Sequence, residues 1–290
     1  MNEIQLITNS DDFGMNESIT DAILETHLKG IMTSTTLMVN MPGFDYAVKK
    51  AKEISTLGVG IHFNLTEGKP VSPPHLIPDL LDGEGFFKVN AIQRKNLLSG
   101  KNVYNQAYIE LKAQLEKMLD NGLTPTHFDS HHHITGVPLA FKASMKVAKE
   151  FKINKARITN IDFYYTSTYK RNNLSKIKIE VLNTPKALVH RWNKRRLRSN
   201  GFITPDTKLL PTRVLPLQHN EVEQFIQALS MLKTGVTEIS FHPGYPDSNP
   251  QDSSNTALLR IRDFNVATSK KVKDYLSENQ IKLISFKDLQ

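Results

Sequence analysis

Residues 4–14, IQLITNSDDFG, begin with the apolar positions Ile4, Leu6 and Ile7 and end on two adjacent aspartates, Asp11 and Asp12, before a turn at Gly14. This is the outline of a buried strand whose carboxyl end carries polar chemistry. The outline returns three times. Residues 57–66 (LGVGIHFNLT) deliver His62, residues 126–133 (THFDSHHH) deliver His131, His132 and His133, and a late strand at 236–242 delivers His242 ahead of Pro243 and Gly244. Between these runs the apolar spacing is helical. A helix is expected from Glu17 to Lys29, with Asn16 as its cap and Gly30 as its stop, and others at 44–54, 104–121, 138–151, 220–232 and 257–278. Further strands are expected at 33–39, 155–161, 213–217 and 281–285.

Alternation of strand and helix gives a parallel sheet covered by helices. The polar residues sit at the carboxyl ends of the first, third, fourth and a late strand. One rim of a barrel gathers residues from several strands, whereas an open sheet concentrates its site at a switch point. The expected fold is therefore α/β, an irregular (β/α) TIM-like barrel forming one domain over 1–290. Two stretches break the alternation. Residues 67–100, with Pro70, Pro73, Pro74, Pro78, Gly83 and Gly85, read as a long irregular excursion of the kind that covers a site. Residues from about 162 to 212 lose the pattern and are expected to be an inserted segment.

Composition narrows the chemistry. With no cysteine there are no disulfides, thiolate nucleophiles, iron–sulfur clusters or thiolate-bound zinc, so any metal is held by oxygen and nitrogen. The net charge, 37 minus 29 or +8, favours anionic partners. Much of it is local to Lys186, Arg191, Lys194, Arg195, Arg196 and Arg198, and the plain reading of that cluster is a solvated helix face. Nucleic acid is not an expected partner, because the cluster lacks interleaved aromatics and any helix-turn-helix or finger spacing. Neither GxGxxG nor GxxxxGK[ST] occurs, which disfavours nucleotide chemistry. No run approaches the ~18 apolar residues of a membrane span. The first residues lead straight into strand-like alternation, so a soluble, cytoplasmic protein with no membrane partner is expected. A homodimer is one candidate for the oligomeric state, which the sequence leaves open.

Each candidate residue has a bland alternative. Paired aspartates in a turn usually cap a helix or face solvent, a lone strand histidine is usually bonded to backbone, and His242 fits a turn held by Pro-Gly geometry. Their convergence on one rim argues for a metal-dependent hydrolase. Neighbouring side chains diverge in an extended chain, so one of Asp11 and Asp12 can ligate a metal while the other faces a water. The same alternation sets His131 and His133 on one side and His132 on the other, and Asp129 is near enough to orient one of these rings. Asn64 and Thr66 continue the polar face of His62 as a pocket wall would.

Taken in order, Asn9–Gly14 (NSDDFG), Thr33–Thr36 (TSTT), Gly60–Thr66 (GIHFNLT), Pro125–His133 (PTHFDSHHH) and Phe241–Gly244 (FHPG) make the chain resemble the YdjC-like carbohydrate deacetylases, which include chitooligosaccharide deacetylases. The pieces cover most of the chain, with little beyond length over 160–235. The resemblance implies an irregular (β/α) barrel, a divalent cation given as magnesium, and removal of acetyl groups from small N-acetylated sugars such as diacetylchitobiose. By position it implies Asp12, His62 and His131 as metal ligands, Asp11 as catalytic base, His242 as the acid, and Arg157 as the residue that holds Asp11. Family members often carry a further histidine two places after His133; here that position is Thr135, which leaves His131 and His133 both open as the ligand. Two imidazoles and a carboxylate also suit zinc, cobalt or manganese chemically. A phosphorylated disaccharide is a variant that the basic cluster makes plausible. The competing expectations are a metal-dependent phosphoesterase acting on sugar phosphates and a sugar-binding or regulatory protein without turnover.

Overall fold

The computed structural model describes residues 3–158, 191–209, 221–246 and 254–290. Among these residues seven strands form one sheet: β1 (Ile4–Phe13), β2 (Ser34–Leu37), β3 (Gly58–Phe63), β4 (Phe128–Ser130), β5 (Thr207–Leu209), β6 (Gly235–Phe241) and β7 (Lys282–Leu283). Their order is β4-β3-β2-β1-β6-β5, with β7 paired to the start of β1, and every pairing is parallel. Parallel strands are covered on both faces, and β2 and β3 are accordingly buried along their whole length. The cover is made by α1 (Glu17–Leu28), α2 (Phe44–Glu53), α3 (Asn90–Asn96), α4 (Lys101–Asp120), α5 (Pro138–Glu150), α6 (Glu221–Leu229), α7 (Ser254–Thr268) and α8 (Lys270–Glu278). Residues 191–199 are also helical.

Local chemistry explains the connections. The Asn16 side chain accepts a hydrogen bond from the Ile19 amide at 2.8 Å and caps α1 as expected. At Gly30 a Cβ would lie 2.3 Å from the Ala267 carbonyl oxygen, so only glycine lets α1 end against α7. Gly60 serves the sheet similarly: a Cβ there would sit 2.5 Å from the His127 ring. That ring stacks on Phe286 at 3.6 Å. Ile7, Ile284, Phe286 and Leu289 form a small apolar cluster, and Phe286 donates its amide to Ser34 Oγ. The C-terminal tail thereby packs at the amino ends of β1 and β2, away from the carboxyl ends that carry the polar residues.

The sheet curls into a half-barrel. Beyond β4, Ala156 bridges Phe128, and Ile203 bridges Lys155, single pairings that continue the curl. This curled parallel half-barrel is consistent with the expected irregular TIM-like barrel, and among the described residues no ladder closes the ring. The strand expected at 155–161 is represented by these bridges alone within its described part. Residues 207–209 lie inside the range expected to be an insertion, yet they pair with Thr237–Ile239 as β5, so the sheet resumes before 212. The strand expected at 213–217, and most of the expected insertion including Lys186, lie outside the described residues. The single helix expected at 257–278 is two, α7 and α8, separated at Ser269. The excursion at 67–100 holds short turns at Pro74–Leu76 and Pro78–Leu80 and a single antiparallel bridge between Leu81 and Phe87 before α3.

Candidate metal and active site

Asp11 and Asp12 stand at the carboxyl end of β1, where the pairing with β2 slips between Ser10 and Phe13 and Asp12 adopts φ +71°. A left-handed aspartate at a strand end costs on the order of 1–3 kcal/mol and persists because its surroundings fix it. The two carboxylates separate through this irregularity rather than through the plain alternation expected of an extended chain. Asp11 turns toward Arg157, and Asp12 turns toward the histidines.

Around Asp12 Oδ1 lie His131 Nδ1 at 3.1 Å and His62 Nε2 at 3.7 Å, with the two rings edge to face at 5.5 Å. One ligand atom from each of Asp12, His62 and His131 falls within 4.8 Å of the others, and all three residues are buried. Both imidazoles hold their second nitrogen against a carboxylate, His62 Nδ1 to Asp129 Oδ1 at 2.6 Å and His131 Nε2 to Glu67 Oε2 at 2.8 Å. That is the support metal-bound histidines receive in proteins, and the cluster could hold a divalent ion. The overlapping sets Glu67–His131–His132 and Asp11–His62–Asp129 share these side chains.

The expected alternation of the triplet does not occur. Residues 131–136 form a tight turn in which His132 and His133 take φ +50° and +51°. This places His131 beside Asp12, sends His132 Nδ1 to Thr66 Oγ1 at 3.0 Å, and sets His133 along a cavity with Phe128, Asp129 and Arg157. Of the two histidines left open as ligand, His131 is the one that meets Asp12. Asp129, expected to orient a ring of the triplet, orients His62 instead, and Thr36 Oγ1 joins both at 3.0 and 3.1 Å. Asn64, expected to line a pocket wall, ties the loop after β3 together by accepting from the amides of Thr66 and Glu67.

Arg157 grips Asp11 with two hydrogen bonds, Nη1 to Oδ2 at 2.8 Å and Nη2 to Oδ1 at 2.6 Å. Its remaining contacts are Asp129 Oδ2 and, through Nε, Glu238 Oε1, both at 2.5 Å. Burial alone would raise the Asp11 carboxyl, but Arg157, with His242 and His62, holds it well below the usual carboxylate range. Burial also opposes the charge on Asp12, which Arg260 and His131 overcome in the same direction. The His131 ring is desolvated, yet its contacts with Asp12 and Glu67 raise it to about 9. His242 brings Nε2 to 3.5 Å from Asp11 Oδ2, while its amide donates to Asp263 Oδ2 at 2.7 Å.

The structure thus brings together Asp11, Asp12, His62, His131, Arg157 and His242. It adds residues that sequence reading missed: Arg260, whose Nη2 donates to Asp12 Oδ2 at 2.9 Å, and Glu67, Asp263, Glu238 and Lys208. Lys208 pairs in register with Glu238 and is fully buried, and among the described residues its Nζ has no hydrogen-bond partner; burial, then the nearby Arg157, lowers its pKa to about 8. For this pair a signal existed: Glu238, Ser240 and His242 recur every second residue, a polar face within an otherwise apolar strand.

A parallel α/β half-barrel whose carboxyl rim gathers carboxylates and imidazoles that could hold a divalent ion defines a candidate hydrolase site. The model of the YdjC-like protein family matches residues 5–278. Proteins named carbohydrate deacetylase from Brevibacillus brevis and Clostridium beijerinckii are each 33% identical to this chain, over 99% of it and 100% of their own length. A solved structure from Enterococcus faecalis, provisionally named a cellobiose-phosphate cleavage protein, superposes with a TM-score of 0.75 at 27% identity, covering 98% of both chains. The chain belongs to the YdjC-like family.

Proposed function

We propose that this chain is a metal-dependent carbohydrate deacetylase that removes acetyl groups from small N-acetylated sugars. The observation carrying the proposal is the pair of carboxylate-backed imidazoles, His62 on Asp129 and His131 on Glu67, that face Asp12. The names of the curated relatives agree with it. Asp12, His62 and His131 would hold the ion. When bound, a divalent ion supplies Lewis acidity, stabilising the charge that develops on the acetyl oxygen and making water more acidic.

Amide hydrolysis also needs a base for the attacking water and a proton for the departing nitrogen, whose anion is too basic to leave unaided. Asp11 supplies the base. Arg157 keeps its carboxylate ionised and fixed in direction, so its free lone pairs accept a proton at a set position. His242 supplies the proton, standing close to Asp11 with its backbone held by Asp263. Chitooligosaccharides such as diacetylchitobiose are the proposed substrates. The name of the Enterococcus protein mentions a phosphorylated disaccharide. The described basic helix does not favour that variant here, because Lys194, Arg196 and Arg198 are engaged with neighbours of their own.

Magnesium is the ion implied by resemblance, while the ligand set suits zinc, cobalt or manganese at least as well. Metal-stripped protein given each ion in turn should regain acetate release from diacetylchitobiose. Phosphate release from a sugar phosphate, with no acetate released, would replace the proposal with a phosphoesterase.

A further inference from the structure

The two imidazoles beside Asp12 are supported from different places. His62 is backed by Asp129, whose side chain is 0% exposed inside the sheet, and His131 is backed by Glu67, 39% exposed at the start of the 67–100 excursion. The Glu67 backbone is pinned on both sides of its peptide. Its carbonyl accepts from Asn40 Nδ2 at 2.9 Å and Asn64 Nδ2 at 2.7 Å, and its amide donates to Asn64 Oδ1 at 3.1 Å. Farther along the excursion, Arg94 on α3 donates through Nη2 to the carbonyls of His132 and, at 3.3 Å, His133. Those are the two left-handed residues of the turn. The excursion therefore grips the histidine turn at its backbone through Arg94 and at the His131 ring through Glu67.

A neutral imidazole has one N–H and one lone pair. Without an ion both ring nitrogens of His131 can donate, to Asp12 and to Glu67; as a ligand the ring would be neutral, and the carboxylate at Nε2 would keep the N–H there and leave the Nδ1 lone pair for an ion beside Asp12. We propose that Glu67 is a positioning residue that fixes the His131 ring toward the ion, and that it thereby couples ion binding to the seating of the 67–100 excursion against the histidine turn. The inference rests on the reading of Asp12, His62 and His131 as ligands. Coupling of this kind is reciprocal: an ion that requires His131 in this orientation also holds Glu67, and with it the first residues of the excursion.

The test uses full-length, metal-stripped protein titrated with cobalt(II) by calorimetry, for wild type, Glu67→Ala, Glu67→Gln and Asp12→Asn. The visible spectrum is recorded at saturation, and backbone hydrogen exchange over 67–100 is followed with and without cobalt. Glu67→Ala should weaken cobalt binding by about 10–100-fold, leave the saturated spectrum unchanged, and abolish the slowing of exchange at 67–72 that cobalt causes in wild type. Glu67→Gln keeps the side-chain shape and serves if the alanine variant does not fold. Wild-type affinity in both variants overturns the inference, and so does an altered spectrum, which would make Glu67 a ligand itself. Cobalt binding by wild type that Asp12→Asn does not weaken, or no binding by wild type at all, overturns the ligand reading and this inference with it. Binding that Asp12 controls but Glu67 does not overturns the inference alone.

Discussion

Arg157 and the basic helix at 191–199 carry the same charge under opposite conditions. Arg157 is buried, and each of its three guanidinium nitrogens meets a carboxylate, from Asp11, Asp129 or Glu238. On the helix, Arg191 and Arg195 face solvent, Arg198 pairs with Asp206, Lys194 bonds the Asp206 carbonyl, and Arg196 lies 4.5 Å over the Trp192 ring. Water and salt screen exposed charges within about 8 Å, and an exposed pair is worth ~0–1 kcal/mol. A buried guanidinium surrounded by carboxylates fixes the position of all of them and, against their burial, holds Asp11 and Asp129 below the usual carboxylate range, while burial raises Glu238. A conspicuous run of arginines and lysines is therefore a poor guide to this site, and one arginine at a strand end is a good one.

The largest effect should come from the residues that Arg157 and its neighbours serve. Asp12→Asn should cut acetate release by at least about a thousandfold, ~4 kcal/mol in the barrier, and abolish ion uptake measured by calorimetry. Wild-type turnover in that variant would remove Asp12 from the site. Next in size, Arg157→Met strands three buried carboxylates and should destabilise the fold by about 3–5 kcal/mol. Arg157→Lys should not rescue it, because an ammonium cannot serve Asp11 with two parallel bonds while also reaching Asp129 and Glu238. Chemical denaturation decides the matter: an unfolding midpoint no lower than that of Arg195→Ala would erase the contrast between the buried and the exposed arginine.

This contrast also explains what was legible in the sequence. Strand-end residues were readable because a parallel α/β sheet sends its carboxyl ends to one rim, so Asp11, Asp12, His62, His131 and His242 could be gathered without knowing the sheet order. Their supports were legible only in part: Arg157 came through the resemblance and Asp129 was expected beside a different ring, while the others were not. Arg260 and Asp263 sit inside α7, where charged residues read as solvent-facing, and only the packing of α7 beside β1 and β6 turns them inward. Glu67 looked like the first residue of a loop. The turn at His131–Gly136 defeated the alternation argument because two successive left-handed residues reset the direction of the side chains.

Lys208 offers a finer probe of the buried side of the comparison. Its ordinary value near 10.5 falls to about 8 in the folded chain, with burial as the main cause. Between those two values the unfolded chain holds a proton that the folded chain lacks. Stability therefore falls as the pH is lowered from 10.5 toward 8, by roughly 3 kcal/mol in total, and the loss is complete below that window. Lys208→Met should flatten the rise of unfolding free energy with pH across this window relative to wild type. Parallel pH curves for the two proteins would mean that Lys208 is solvated rather than enclosed above Glu238.

The smallest effect is predicted at the helix surface. Arg195→Glu combined with Arg196→Glu should change stability by no more than about 0.5 kcal/mol. Arg195 is exposed, and among the described residues the Arg196 side chain loses its contact with Trp192. The informative measurement is the ratio of acetate release from a phosphorylated and an unphosphorylated N-acetylated disaccharide, before and after the double substitution. A phosphate held by two guanidinium groups would suffer both the loss of attraction and new repulsion, so charge reversal would depress the phosphorylated substrate at least about tenfold, ~1.4 kcal/mol, and leave the other untouched. An unchanged ratio is the expected result, because the described helix spends Lys194 and Arg198 on its own 204–206 segment and gathers no cradle for an anion. A selective tenfold loss would instead make the exposed arginines part of substrate recognition, and the division between a working interior charge and an idle surface one would no longer hold.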